Sequence, residues 1–308
     1  MEMTRRHMFA AASAATAMTF GRSARAEIAK GSPSTGSFML ELGGQFMPVK
    51  SIEGGAPVGV VVSSSAPSPN APHFREKHLS GVKYEPIAIE APFGSARPLF
   101  EWIGTAWRGT RTQANGSLIT VDVTGRPLAR REFVGAFIVE TVVPTLDATS
   151  RDPAFVTVRL TPEHTSDGTP PATLPASPRR PTPSLSSNFR LSIGGLDCHS
   201  VSKIDSFTVK QQSNLVEFTN LRIEFSRASL ESWRTWFRSF VIGGNSTPGN
   251  EKTGTLELLS PNLTTVLATI RFYNLGIFRL DDAPADPRTA VTRVVAELYC
   301  ERMELTMG

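Results

Sequence analysis

The side chains able to do chemistry are few and scattered. Beyond position 26 the 308-residue chain holds four histidines, His73, His78, His164 and His199. None has the helical spacing of a metal site, and none sits in an H-E-x-x-H motif. His73 and His78 with Glu76 could gather a cation on one loop, but a solvated loop accounts for the same three residues. Asp281, Asp282 and Asp286 bring three carboxylates into one stretch without the spacing of an EF-hand, so an acidic surface turn is the simpler reading. There is no G-x-S-x-G elbow, and the Gly-Gly pairs lack the context of a phosphate-binding loop. Cys198 and Cys300 lie in no C-x-x-C or metal pattern. In an oxidising compartment they could form one bridge, or they could stay two buried thiols, since sequence spacing does not establish proximity. Trp102, Trp107, Trp233 and Trp236 could suggest a sugar platform. Their helical spacing beside Leu99, Ile103, Leu230 and Phe237 reads as core packing instead. The chain therefore reads as non-enzymatic, with no catalytic, cofactor or metal site.

Charge narrows the partners. The formal net charge is +4, but Arg5, Arg6, Arg22 and Arg25 against Glu2 supply most of it, leaving 28 basic and 27 acidic residues after position 26. With no basic stripe interleaved with aromatics, contact with nucleic acid is not expected. The N-terminus reads as an export signal of the twin-arginine (Tat) type over residues 1–26. Arg5 and Arg6 precede a short apolar run from Ala10 to Phe20, and Ala24 and Ala26 frame an A-x-A cleavage site. That run is too short to span a membrane, and no later segment approaches a span. The protein is expected outside the cytoplasm, periplasmic or extracellular.

The elements that must position these residues are mostly strands. Residues 165–187 carry six prolines in 23 positions and few large apolar side chains, the composition of an extended linker. They divide the chain into domains over 36–164 and 188–306, and the two resemble each other. Phe38–Gly44 parallels Phe189–Gly195, each an alternating strand that reaches a Gly-Gly turn expected to close a hairpin. Lys50–Glu53 parallels Ser202–Asp205, and Ile87–Glu90 parallels Leu221–Glu224. Leu99-x-x-Trp102 and Leu230-x-x-Trp233 mark one helix in each half, with Pro98 in the first turn of one and Ser229 as N-cap of the other. Leu118–Val121, Phe133–Val139 and Val156–Glu163 then match Leu256–Leu259, Phe272–Phe278 and Val294–Glu301. These matched elements, in one order, read as a tandem duplication. The fold class expected is mainly β: two small barrels or sandwiches, each with one helix.

The first half resembles the tail tube proteins of contractile phages and their relatives in type VI secretion. Phe38–Gly44 is similar to the family's opening hairpin, Lys77–Ile89 to its Leu-Pro-Gly and Lys-Tyr block with Ser80 in place of the proline, and Leu99–Trp102 to its helix start. Phe133–Pro144 and Val156–Glu163 are similar to its last strands. The second half keeps the frame but loses the Gly-Lys-Tyr block, and its loop between Val209 and Phe218 is much shorter. The resemblance implies tail-tube-like domains that join sideways into six-membered rings. Three duplicated chains would complete one ring as a pseudo-hexamer, with the long loop Ser63–Tyr84, including Gly81, Lys83 and Tyr84, reaching a neighbouring ring. It also implies self-association as the main partnership, with other tail-like or injection-system proteins as further partners. The export signal departs from the family, whose tubes assemble in the cytoplasm; without it the expected location is a virion or tail-like particle. The alternative is an exported monomeric binding module that keeps the fold and has lost the ring.

Overall fold

A computed structural model of the chain describes residues 35–68, 71–174, 184–212, 215–283 and 292–308. The sequence breaks into short alternating runs because each strand buries one face. Ile87, Ile89 and Ala91 point inward while the residues between them stay half-exposed, and Leu221, Ile223 and Phe225 repeat the pattern. In chain order the first half contains β1 (Thr35–Leu42), β2 (Gln45–Val49), β3 (Ser51–Gly54), β4 (Pro57–Ser68), β5 (Ala71–Tyr84) and β6 (Ile87–Pro92). After them come α1 (Arg97–Trp107), β7 (Ala114–Asp122), β8 (Pro127–Val143), β9 (Leu146–Asp147), β10 (Phe155–Thr161) and β11 (His164–Gly168). The second half contains β12 (Phe189–Ile193), β13 (Val201–Ile204), β14 (Phe207–Gln212), β15 (Leu215–Phe218), β16 (Leu221–Ser226), α2 (Leu230–Phe237), β17 (Lys252–Leu259), β18 (Val266–Asp282) and β19 (Arg293–Met307).

All strand pairs are antiparallel. One sheet runs β2-β1-β7-β8-β10-β6-β3, with β11 and the β14–β15 hairpin joined to it through β8. The other runs β12-β17-β18-β19-β16-β13-β9. Six strands thus follow the same order in both, β1-β7-β8-β10-β6-β3 in one and β12-β17-β18-β19-β16-β13 in the other. The registers agree as well: Ile89 faces Val158 where Ile223 faces Ala296, and Gly116 faces Phe133 where Gly254 faces Phe272.

Local chemistry differs between the halves at three expected features. Gly43 and Gly44, both at positive φ, close the β1–β2 hairpin. After β12 only Gly195 has positive φ, and the chain runs through Asp197 to β13, which pairs with β16 rather than returning to β12. Ser229 stands at the N-cap of α2 but does not cap it: its hydroxyl donates to Asp197 Oδ2 (2.7 Å) and accepts from Ser200 (2.7 Å). That bond, with the His199 amide, holds the Asp197 carboxyl below its ordinary value. The expected long loop is a two-stranded ladder, β4 on β5, because the alternating Val58, Val60 and Val62 favour extended backbone that pairs with itself, in a register that shifts between Val60 and Val61 and again between Ser63 and Ser68.

The halves do not stand apart on their linker. Residues 34–308 form one compact unit, with a continuous apolar core running from Leu40 and Phe100 to Trp233 and Phe272. The proline-rich segment is structured at both described ends. Thr165 is buried where β11 pairs with β8, Leu174 packs on Met39, Ile119 and Val121, and Ser184 donates to the Leu259 carbonyl (2.6 Å). Backbone pairing and single apolar side chains can dock a segment too polar to build a core of its own.

In the second half Tyr299 crosses the strand opposite it. A Cβ on Gly276 would overlap the Tyr299 ring, so only glycine fits there. The Tyr299 hydroxyl donates to Glu251 Oε1 (2.7 Å), and burial together with that carboxylate pushes its pKa up to about 12. The unfolded chain releases this proton near pH 10, so the folded state holds it longer and loses stability as pH rises through that interval. The urea midpoint should fall between about pH 9.5 and 11.5, and Tyr299→Phe should flatten that fall.

Candidate assembly interface

A strand that outruns its neighbour leaves backbone groups to be satisfied. The pairing of β7 with β8 ends at Ala136, yet β8 continues to Val143. The second half fills that edge: Phe207 faces Val143, Thr208 faces Val142, Val209 faces Thr141 and Lys210 faces Glu140. The seam then continues in the same antiparallel sense, with Leu146 and Asp147 of β9 pairing with Ile204 and Lys203 of β13. The Ser206 amide donates to Thr145 Oγ1 (3.2 Å) and the Ala148 amide to the Ser202 carbonyl (2.8 Å). Phe207 and Val209 are almost wholly buried by it.

Charges line the seam's second part. Asp205 takes Lys203 and Arg222, both at 2.9 Å. Burial works against its charge, but the two cations outweigh it and hold its carboxyl below the usual range. Asp147 is likewise held low: burial opposes, while Thr149 and the charges of Lys203 and Arg293 prevail.

Helix α1 belongs to the first half and packs on the second. A Cβ on Gly104 would lie 2.6 Å from the Leu305 carbonyl of β19, so the helix backbone touches the strand backbone there. Gln211 Nε2 donates to the Ala106 carbonyl (3.2 Å), Trp107 meets Phe218 edge to face at 6.5 Å, and Arg97 donates to the Gly308 carbonyl (2.6 Å). The four tryptophans are buried in this core, Trp233 completely.

The residues singled out from sequence fall in several places. Gly81, Lys83 and Tyr84 lie on β5, facing Val60, Val58 and Pro57 across the hairpin. Gly81 is exposed at ordinary φ with open space around it. The Tyr84 hydroxyl lies 2.6 Å from His164 Nδ1, which ties the hairpin base to β11. Arg5, Arg6, Ala24 and Ala26 lie outside the described residues. Cys198 and Cys300 are free thiols, not a bridge; burial pushes Cys300 up to about 11 and raises Cys198 as well. His73, Glu76 and His78 do not converge, since no cluster of three or more metal-ligating side chains occurs among the described residues. Asp281 pairs with Arg279 (2.7 Å) and Asp282 with Arg227 (2.8 Å), while Asp286 lies outside the described residues. A cleft of about 250 Å³ is lined by Phe38, Ile52, Leu118, Arg130, Arg131 and Asp167. Its charges are spent inside the protein, Arg131 on Asp167 (3.0 Å) and Arg130 on Glu132 (3.2 Å). The seam was missed from sequence, although the alternation of Phe207 and Val209 carried its signal.

Residues 57–165 match the family model of the T4-like virus tail tube protein gp19. The first half is similar to a phage tail tube protein. The matched span of this tail-tube-like half runs from the start of β4 into β11 and includes α1, β8 and β10. Among solved structures, a chain from the PVC sheath–tube complex of an extracellular contractile injection system, in its extended state, is 17% identical. It aligns over 46% of this chain and 94% of its own length, with a TM-score of 0.39. A chain from the tube-terminating cap of the anti-feeding prophage is 18% identical over 50% of this chain and 99% of its own, with a TM-score of 0.39. Hcp1 from Flavobacterium johnsoniae is 17% identical over 43% and 94%, with a TM-score of 0.30. No curated protein matches the chain. No helix among the described residues is long and apolar enough to cross a membrane.

If α1 holds the halves together through Gly104, then Gly104→Ala must push the helix off Leu305. The substitution removes a helix-interior glycine, a gain of about 1 kcal/mol, but overpacking costs about 1–3 kcal/mol and should dominate. The urea midpoint should drop for Gly104→Ala and stay unchanged for Gly81→Ala, where a Cβ meets open space.

Proposed function

We propose that this chain is a non-enzymatic structural protein of the tail-tube type, two tandem copies of one module that self-associate into rings after export. The observation that carries the reading is the seam. Two halves with the same six-strand order are joined in one chain by strand addition, β14 of the second half on β8 of the first. A module that accepts a strand from a like module can be joined repeatedly. Three chains supply six modules, so a trimer would close as a pseudo-hexamer. Injection-system components of similar construction would be the further partners, and a tail-like particle the setting if export does not occur.

The mature protein, residues 27–308, should give a trimer or a higher closed oligomer by light scattering across a concentration series. A monomer at every concentration would end the ring reading and leave an exported single-chain binding module in its place. The export step rests on Arg5 and Arg6. Replacing both with lysine keeps the charge but removes the paired guanidinium groups, and should retain the precursor inside the cell, read as an uncleaved band in the cytoplasmic fraction.

A further inference from the structure

We propose that the seam inside the chain is repeated between copies, the outer edge of β4 in one copy pairing with Arg279–Asp281 of β18 in a second copy. This rests on the self-association reading and specifies its surface. The equivalence of β8 and β18 follows from their registers. Gly116 faces Phe133 and Leu118 faces Arg131; Gly254 faces Phe272 and Leu256 faces Ile270. Glu140–Val143 therefore correspond to Arg279–Asp282. The pairing of β17 with β18 stops at Leu275, but β18 runs on to Asp282 with only β19 beside it among the described residues. In β8 the corresponding edge is taken by β14.

The strand that would take it exists in the first half. Tyr84 and Phe218 each lie three residues before the start of the next strand, Ile87 and Leu221, which face Leu160 and Leu298. Tyr84 pairs with Pro57 and Phe218 with Val209, so Ala56–Val58 correspond to Thr208–Lys210. The direction of the backbone agrees: the Glu85 amide donates to the Ala56 carbonyl as the Thr219 amide does to that of Thr208. Ala56 and Val58 therefore turn toward β5, and Pro57 turns outward. Among the described residues β4 pairs only with β5. Carrying over the register of the seam sets Val58 opposite Arg279, Pro57 opposite Leu280 and Ala56 opposite Asp281.

Exposed apolar side chains mark the same parts. Val61, Phe74, Leu79 and Val82 stand on the β4–β5 hairpin, Phe278 precedes the open stretch of β18, and Val241 and Ile242 extend the C-terminal end of α2. In the first half the C-terminal end of the helix meets β14 and β15 through Ala106 and Trp107. The joint between copies is weaker than the one within the chain. Pro57 has no N–H to give, and the Gly55 carbonyl already accepts from Thr165 Oγ1 (2.7 Å).

Val58 and Arg279 would form a pair without mutual backbone hydrogen bonds, about 4.5 Å apart at Cα, within disulfide reach. Mature Val58→Cys protein mixed with Arg279→Cys protein under mild oxidation should give a covalent dimer on a non-reducing gel. Wild type alone, and Val62→Cys mixed with Arg279→Cys, should not. The pair Ala56→Cys and Asp281→Cys, in the same register, serves if either first variant fails to fold. Oligomers by light scattering without either cross-link would overturn this inference and leave self-association standing. A monomer at every concentration would overturn both.

Discussion

Strand β8 is longer than the strand beside it, and the rest of the molecule depends on how that excess is met. Backbone amides and carbonyls from Glu140 to Val143 need partners, and β14 provides them. Once it does, Phe207 and Val209 are drawn into the interior, α1 lies against β19 at Gly104, and the two sheets share one core. The linker is a consequence rather than a cause of this arrangement. Its described ends, at Thr165, Leu174 and Ser184, are tied down on surfaces the seam has already fixed.

Outside the core, charge is arranged in cross-strand pairs: Arg159 with Glu140, Arg190 with Glu257, Arg279 with Glu297. Exposed pairs of this kind contribute at most about 1 kcal/mol each. They leave the outer faces near neutral and the stability to burial, as suits a chain whose charges nearly cancel beyond position 26.

Much of the fold was legible because period-two alternation is a local signal. Ile87–Glu90 and Leu221–Glu224, the Leu-x-x-Trp helices and the order of the strands could all be read without knowing their partners. What could not be read was long-range or depended on a single side chain. The Gly-Gly pair at 194–195 looks like that at 43–44, but only the first turns the strand back, because the second leads into the Asp197 turn that Ser229 and Ser200 hold. Ser229 has the chemistry of a cap and spends it on Asp197. Ser63–Tyr84 reads as a loop by its Ser, Pro and Ala content, yet pairs as a hairpin. Of the candidate interface, the hairpin residues were named and the seam was not, since nothing within Phe207–Lys210 announces Glu140–Val143 as its partner.

The connector between the halves has one more consequence, a matter of counting. Two segments held in one chain meet at an effective concentration in the millimolar range, so the joint between β8 and β14 forms at any dilution, whereas a joint between chains depends on how many chains are present. Sheets of this kind therefore arrive already in twos. A ring of five or seven such sheets cannot be counted out in whole chains, and adding or losing one chain changes the number of sheets by two.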